Sequence, residues 1–396
     1  MGKTLAVNAG SSTLKFKLFE VPSEKVITSG VIERIGLKDS IVTIKYGHGN
    51  KFENTQDVDT HEQAIHLMLE KLIDLHIISD YNEITGVGHR VVAGGEFFTD
   101  SVLVDDEVLK KIEDLAEYAP LHNPAEAMGI RAFRKILPDV PNVAVFDTSF
   151  HTTMPQTNYM YAIPYKYYKK YGARKYGAHG TSHRYVAGRA AAMLGKPLAD
   201  LKLITMHIGA GASITAVKNG KSYDTSMGFT PLAGIMMATR SGDIDASLVS
   251  FLMEKLKIKD PNDMIEILNK KSGLLGVSEY SADMRDLEKV QGKNKQAHLA
   301  RDMYINRIVG YVGKYIAEMN GVDAIVFTAG VGENDIPIRQ EVADKLSYFG
   351  IAVDPEKNNI RGVERDLSTA DAKVKTLLIP TDEELMIVRD VERLAK

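Results

Sequence analysis

The first residues that could do chemistry are Asn8-Ala9-Gly10-Ser11-Ser12-Thr13-Leu14-Lys15. Glycine permits a close backbone approach, and successive N–H groups with the hydroxyls of Ser11 and Ser12 form a concave anion site. Lys15 rises from the following strand and can reach the same anion as a point charge. The spacing is not Gly-x-x-x-x-Gly-Lys-Ser, and a strand rather than a helix follows, so a P-loop is excluded. An ordinary polar hairpin is the competing reading. A related turn, His207-Ile208-Gly209-Ala210-Gly211, comes after a second apolar strand.

Several further groups stand at turns. Arg90 lies in Gly88-His89-Arg90-Val91-Val92, just before Gly94-Gly95, and its guanidinium suits a two-oxygen anion; taken alone it also reads as an ion-paired structural residue. Leu121-His122-Asn123-Pro124 reads as a helix start with Asn123 as N-cap. Asp147 follows a buried strand, where it can act on a ligand or cap its own turn through an Asx bond. Tyr176–Arg184 packs His179, His183 and Arg184 between glycines, but Gly180 interrupts a zinc pair of that spacing and no Glu follows His179. Arg240, in Ala238–Asp245, belongs to a cap network or supplies a second cation. Gly330-Val331-Gly332-Glu333-Asn334 can carry a nucleotide, although Gly-x-Gly alone is a weak fingerprint. Together these groups suit phosphoryl transfer between polyanions, in which a protein mainly positions reactants and supplies cations, with Mg²⁺ bridging phosphates. Asp147, Glu383 and Glu384 are the carboxylates available to that metal.

The elements that position these groups follow from hydrophobic periodicity. Strands are expected at Thr4–Val7, Thr13–Phe19, Val26–Ile35, Ile41–Tyr46 and Asn142–Phe146, then at Leu203–Ile208, Ser213–Val217, Lys221–Asp224, Ala324–Phe327 and Lys375–Ile379. Helices are expected at Glu62–Leu75, Asp105–Tyr118, Ala125–Leu137, Ala246–Leu256 and Gln296–Met319, with a last one from Asp382. Strand, Gly/Ser turn and strand occur at Leu5–Phe16 and again at Ile204–Val217, which reads either as one half used twice or as a chance likeness of two hairpins. The 396 residues make two domains the natural division. A hydrophobic fraction of 44% excludes a disordered or fibrous chain, and a net charge of −3 gives no basic field for nucleic acid or an anionic membrane. With 0 Cys there is no disulfide frame, thiolate metal site or cysteine nucleophile. No apolar run approaches a membrane span, and a cytoplasmic location is expected.

In motif order and spacing from end to end, the chain resembles the acetate/propionate/butyrate kinase family of the actin-like ATPase, sugar kinase and Hsp70 superfamily. The carriers are Asn8–Phe16, Gly88–Glu96, Leu121–Pro124, Phe146–His151, Tyr176–His183, His207–Ser213, Thr239–Asp245, Ala329–Asn334 and Thr381–Leu385. The resemblance implies an α/β, duplicated actin-like ATPase (ribonuclease H-like) fold with an interdomain cleft. Residues 1–150 with 382–396 would form the acid-binding domain, and 151–381 the nucleotide-binding and dimerising one. It implies a homodimer, ATP/ADP as cosubstrate, and Mg²⁺ that Mn²⁺ can replace. By position, Asn8 and Glu383 match the metal site, and Asp147, His179 and Arg240 the catalytic residues. Arg90 matches the arginine that takes the substrate carboxylate, with Val92, Leu121, His122 and Pro231 also on the substrate side. Ser12, Lys15, His207, Gly209, Gly211, Asp283, Arg285, Gly330, Gly332 and Asn334 match nucleotide-binding positions.

The implied activity is reversible transfer from ATP to acetate, giving acetyl phosphate. A propionate or butyrate kinase, or a non-enzymatic actin-like nucleotide-binding protein, is the alternative. The family labels the aspartate an acid/base, but a carboxylate substrate, with a pKa of roughly 4–5, is already ionised; Asp147 is therefore read as orienting Mg²⁺ and water. Ala178 stands where the family has Phe, which is expected to open room beside the acyl pocket for propionate. Ala210 replaces an Asn, so Gly209 and Gly211 must hold phosphate through the backbone.

Overall fold

The alternation of Leu14, Phe16 and Leu18 with Lys15 and Lys17 buries the first set and leaves Lys15 exposed and Lys17 half-buried. Strands β1 (Gly2–Gly10) and β2 (Thr13–Val21) form a hairpin that pairs Asn8 with Lys15 and Gly10 with Thr13. The computed structural model describes residues 2–120 and 122–395, in two compact units, Met1–Phe150 with Asp382–Lys396 and His151–Thr381.

In the first unit β3 (Lys25–Glu33), β4 (Ser40–Tyr46) and β5 (Asn50–Gln56) extend the antiparallel meander. On the other side of β1 lie β6 (Ile84–Val91), β7 (Val102–Leu103) and β8 (Asn142–Phe146), giving the order β5-β4-β3-β2-β1-β6-β8-β7. β6 runs parallel to both β1 and β8. Leu5 and Val7 share a core with Ile65, Met68 and Leu72 of the helix His61–Asp74. Ala6 between them packs instead with Ile387, Val388 and Val391 of the C-terminal helix Glu383–Leu394, so helices cover both faces. The expected helix start at Ala125 moves to Asn123, with Pro124 in the first turn and His122 at the cap position.

The second unit repeats the plan. β9 (Lys202–Ile208), β10 (Ala212–Lys218) and β11 (Lys221–Thr225) form a meander, with Asn219 and Gly220 at φ 55° and 75° in its second turn. β12 (Ala324–Thr328), β13 (Arg365–Asp366) and β14 (Lys375–Leu378) complete the order β11-β10-β9-β12-β14-β13. β9, β12 and β14 are parallel. Thus β3-β2-β1-β6-β8 and β11-β10-β9-β12-β14 share one order and one set of directions. This is the duplicated actin-like α/β fold, and it decides between the two readings of the repeated hairpins. The helix Lys295–Met319 buries Tyr304, Ile308, Val312, Tyr315 and Met319 at helical spacing under this sheet. Among the described residues no helix is long and apolar enough to cross a membrane.

The glycines of β6 are set by the C-terminal helix. A Cβ at Gly86 would lie 2.4 Å from Val391 Cγ1, and one at Gly88 would lie 2.3 Å from Ile387 Cγ2. Neither methyl can be added without shifting the Ile387 or Val391 side chain of the helix whose first residue is Glu383. Gly88→Ala is expected to destabilise the protein by about 1–3 kcal/mol through overpacking. Thermal unfolding would register this as a lower Tm, and an unchanged Tm would show that the helix yields at little cost.

Candidate active site

In the first unit the parallel register of β6 and β8 sets Arg90 beside Val145, one turn of chain before Asp147. Arg90 donates from Nη2 to Asp147 Oδ2 at 2.6 Å, and from Nε to both carboxylate oxygens at 3.1 Å. Asp147 is 1% exposed and its partner is this guanidinium, so the ion pair, not an Asx cap, accounts for its burial. Asp147 in turn raises the pKa of Arg90. Asn8, Lys15, Arg90 and Glu383 line one cavity of about 230 Å³, together with Lys17 and Glu384. Lys17 is held by Glu384 at 3.0 Å and Asp382 at 3.6 Å. Lys15 has no ion pair among the described residues. Ser12 sits in the β1–β2 turn, where its carbonyl accepts from Ile35 N at 2.9 Å, and it does not line this cavity. Val92 is buried just past β6, His122 is exposed, and Leu121 lies outside the described residues.

Burial pushes the Glu383 carboxyl up to about 7; Asp147 and Glu384 push the same way and Arg90 opposes them. A carboxylate and an amide oxygen are hard donors of the kind Mg²⁺ takes, and a cation would relieve the carboxyl's desolvation. Asn8 and Glu383 therefore fit a magnesium ion that completes its shell with water and phosphate. Among the described residues no group of three His, Asp or Glu could cage a metal on its own.

Glu126, which the sequence reading passed over, is 3% exposed on the helix Asn123–Ile136. Burial raises its carboxyl to about 8; Asp147 pushes the same way, while the bond from Val92 N and the Arg90 charge oppose it. The signal was present: Glu126, Ile130 and Phe133 follow the spacing of a buried helical stripe, so an acid occupies a core position.

In the second unit His179 stands at φ 56°, immediately before the helix Gly180–Leu194. Its Nδ1 is 2.9 Å from Ser213 Oγ, and its ring stacks on His207 at 4.1 Å. His183 is fully buried against Thr205 Oγ1 and Ser213 Oγ, and burial holds its pKa well below the ordinary value. That arrangement is structural and disposes of the zinc pair. Arg240 donates from Nη1 to Pro231 O at 3.2 Å, and burial lowers its pKa. Arginine remains cationic under such lowering. A Cβ built on Gly211 would lie 3.5 Å from Arg240 Nη1 and 3.7 Å from His179 Nε2, so hairpin, cation and imidazole converge there. Asp245 caps the helix Ala246–Leu256 and Asp243 accepts from Gly234 N at 2.8 Å, which resolves the acids near Arg240 as a cap network. Gly273, unremarked in the sequence, has φ +62° and lies so close that a Cβ would be 2.7 Å from Arg240 O.

Gly209, Ala210, Asp283, Arg285, Gly330 and Asn334 line a second cavity of about 770 Å³, a size that takes a nucleotide. Arg361 lines it too and was not foreseen. Asp283 also caps the helix Met284–Val290 and pairs with Arg285 at 2.5 Å. Gly332 is buried outside the lining; its carbonyl accepts from the buried Arg339 at 3.0 Å. Arg339 donates as well to Glu333 O, Asn358 O and Ile360 O, holding the end of the helix Ala329–Asn334. Ala178 is 4% exposed and belongs to the apolar core of this unit.

The duplicated actin-like frame, with a nucleotide-sized cavity lined by Gly209 and Ala210 of the second hairpin turn, is that of an ATP-dependent phosphotransferase. The acetokinase family profile matches residues 3–389. The chain is 65% identical to the acetate kinase of Lactiplantibacillus plantarum and 62% to that of Enterococcus faecalis, covering 100% of each chain in both cases. Its structure is similar to that of Porphyromonas gingivalis acetate kinase, with a TM-score of 0.96 at 45% identity and 100% coverage of both chains. It is also similar to a propionate kinase from Francisella tularensis, with a TM-score of 0.93 at 38% identity, again over 100% of both. The chain belongs to the acetokinase family.

A carboxyl whose pKa is raised on folding binds protons more tightly in the native state, so its contribution to stability falls as pH climbs from the unfolded value near 4.5 through the folded one. For Glu126 that window runs from about 4.5 to about 8. Glu126→Gln should flatten this slope, raising Tm at pH 8 relative to its effect at pH 5. Parallel Tm profiles for the two proteins would show that Glu126 keeps an ordinary pKa.

Proposed function

We propose that this protein catalyses reversible, in-line phosphoryl transfer between ATP and acetate, giving acetyl phosphate and ADP. The observation that carries this reading is the meeting of Arg240, His179 and the glycine hairpin at Gly211, with the nucleotide-sized cavity lined by the neighbouring Gly209 and Ala210. The full-length relatives named acetate kinase support acetate as the acceptor.

In this mechanism the acid is held as its carboxylate by Arg90. Only the Nε and Nη2 side of that guanidinium is committed to Asp147, and a guanidinium has five N–H donors to share. The substrate needs no base, since an aliphatic acid with a pKa of roughly 4–5 is ionised at neutral pH. Asp147 fixes the angle of Arg90 and orients water instead of accepting a proton. Arg240 and His179 donate to the oxygens of the transferring group, where charge spreads as the bond to the leaving diphosphate loosens. The Gly209 N–H, expected to hold phosphate, is instead given to Gly211 O at 3.1 Å, which leaves this task to the Gly211 N–H where Ala210 offers no side-chain donor. When bound with the nucleotide, magnesium would supply charge neutralisation on the phosphates, with Asn8 and Glu383 as its protein donors.

A homodimer is part of this reading. Phe229, Ile244, Leu248, Phe251 and Leu256 of the second unit are exposed large apolar side chains, which favours a self-association surface there. Light scattering at micromolar concentration should give twice the chain mass of 43.7 kDa, and a monomeric mass would remove this part.

Trapping acyl phosphate as hydroxamate, with acetate, propionate and butyrate in parallel, tests the reaction. Acetate should be preferred; product from none of the acids alongside tight ATP binding would favour a nucleotide-binding protein without this activity. Arg240→Ala or His179→Ala should lower kcat by a factor on the order of 10² or more while moving KM less, because each acts mainly in the transition state. Asp147→Asn should collapse kcat with no shift of the basic limb. Recovery of its activity simply by raising pH would restore the acid/base role.

A further inference from the structure

β6 ends at Val91, and the last main-chain bond to its β8 neighbour is Asp147 N to Val91 O at 2.9 Å. Beyond that point the sheet offers no partners, yet the next residues are buried: Val92 is 8% and Ala93 6% exposed. Their amides must be satisfied by something else. Val92 N donates to Glu126 Oε2 at 2.9 Å, Ala93 N to Asn123 Oδ1 at 3.0 Å, and Gly94 N to Thr148 Oγ1 at 3.0 Å. Asn123 Nδ2 completes the set by donating to Ala93 O at 3.0 Å and Ile112 O at 3.1 Å. Three consecutive amides are thus taken by three buried side chains, two from the first turn of the helix Asn123–Ile136 and one from the residue after Asp147.

Two features separate this from ordinary loop packing. A buried amide is usually met by a neutral acceptor, whereas a carboxyl taken out of water is costly unless it does something a smaller group cannot. From its place on the helix, Glu126 reaches the amide of the residue two beyond Arg90. Asn123 is likewise not the N-cap that its sequence position advertised; it lies within the helix and clamps Ala93 from both sides. Val92 itself joins a small apolar group with Ala93 and Ala119, next to Tyr118. Wherever the backbone of Val92–Gly94 is set, the Val92 side chain and the end of the strand bearing Arg90 are set with it.

We infer that Glu126, assisted by Asn123 and Thr148, is a positioning residue for acid selection, fixing the Val92–Gly94 backbone that carries one wall of the carboxylic-acid site. The inference rests on the acid site proposed above, since Val92 belongs to that site. Glu126 touches neither substrate nor nucleotide. It acts through Val92, so its loss should be felt in acid binding and acid choice, not in ATP binding.

The test compares Glu126→Leu with Glu126→Gln, which keeps a carbonyl acceptor at the same reach. With Glu126→Leu, KM for acetate should rise about tenfold, equivalent to roughly 1.4 kcal/mol, and the acetate-to-propionate ratio of kcat/KM should fall as the wall loosens. KM for ATP should stay within about twofold, and Glu126→Gln should restore most of the acetate affinity. If Glu126→Leu fails to fold, Thr148→Val, which removes the acceptor for Gly94 N at nearly constant volume, is held to the same split. A folded variant with unchanged acetate KM and unchanged acid ratio overturns the inference. So does an equal rise in both KM values, which would mark a general structural role. Wild-type protein that phosphorylates no acid would instead overturn the proposed function.

Discussion

The first unit turns on one guanidinium. Arg90 is bonded to Asp147, and its charge also acts on Glu383 and Glu126, so one guanidinium is shared among three carboxyl groups, with Lys17 acting on Glu383 as well. Such a cluster cannot be fully ionised without cost, because like charges in a poorly hydrated space raise one another's pKa. Asp147 takes the direct bonds, while Glu126 and Glu383 are pushed up to about 8 and about 7. The sheet makes this possible. Parallel β6 and β8 bring Arg90 level with Val145, and the chain leaving β8 needs only two residues more to offer Asp147.

Two guanidiniums of the second unit are anchored in a different way. Arg240 is held by the carbonyl of Pro231, and Arg339 by Gly332, Glu333, Asn358 and Ile360 carbonyls, with no carboxylate among the described residues paired to either. A carbonyl dipole fixes a guanidinium without cancelling its charge. Burial lowers the pKa of Arg240, and that of Arg339 to about 10, yet both stay cationic at neutral pH. Under the proposed function such anchoring is an advantage, because a carboxylate partner would compete with phosphate for the same N–H groups. Other cations of this unit do take carboxylates: Arg301 pairs with Glu341 and Lys175 with Asp224, and Arg285 pairs with Asp283 in the open, where such a pair is weak and readily exchanged.

What was legible in the sequence was whatever declared itself by period or by turn chemistry. Alternation in Thr13–Phe19, the Asn219-Gly220 turn and the helical spacing before Met319 each have a single cheap conformation, and the structure adopts it. β5 was missed because Asn50–Gln56 has only Phe52 as an apolar residue; an edge strand is defined by its pairing to β4 and not by a buried face. Glu126 and Arg339 were missed for a related reason. Charged residues read as solvent-facing until a three-dimensional partner explains their burial, and their partners are main-chain atoms, which leave no mark in a sequence. Asn123 was misplaced because an Asn before Pro at a helix start also makes an N-cap, and only the position of Ala93 decides between the two uses.

The duplication shows how one backbone plan is put to two chemical uses. Asn8 pairs with Lys15 across the first hairpin, and His207 pairs with Ser213 across the second, in equivalent places within sheets of the same order. The strand ends and turn supply amides and a concave backbone in both cases, and only the side chains differ. In the first unit they are an amide oxygen donor and a free-reaching amine, suited to a hydrated cation and to phosphate at arm's length. In the second they are an imidazole stacked on His179 and a hydroxyl that bonds His179, so the hairpin serves to hold the neighbouring side chain proposed to act on the transferring group. The fold therefore fixes where a reactive group can be presented, and a change of two side chains on one strand pair decides whether that place binds a ligand or braces a residue that does.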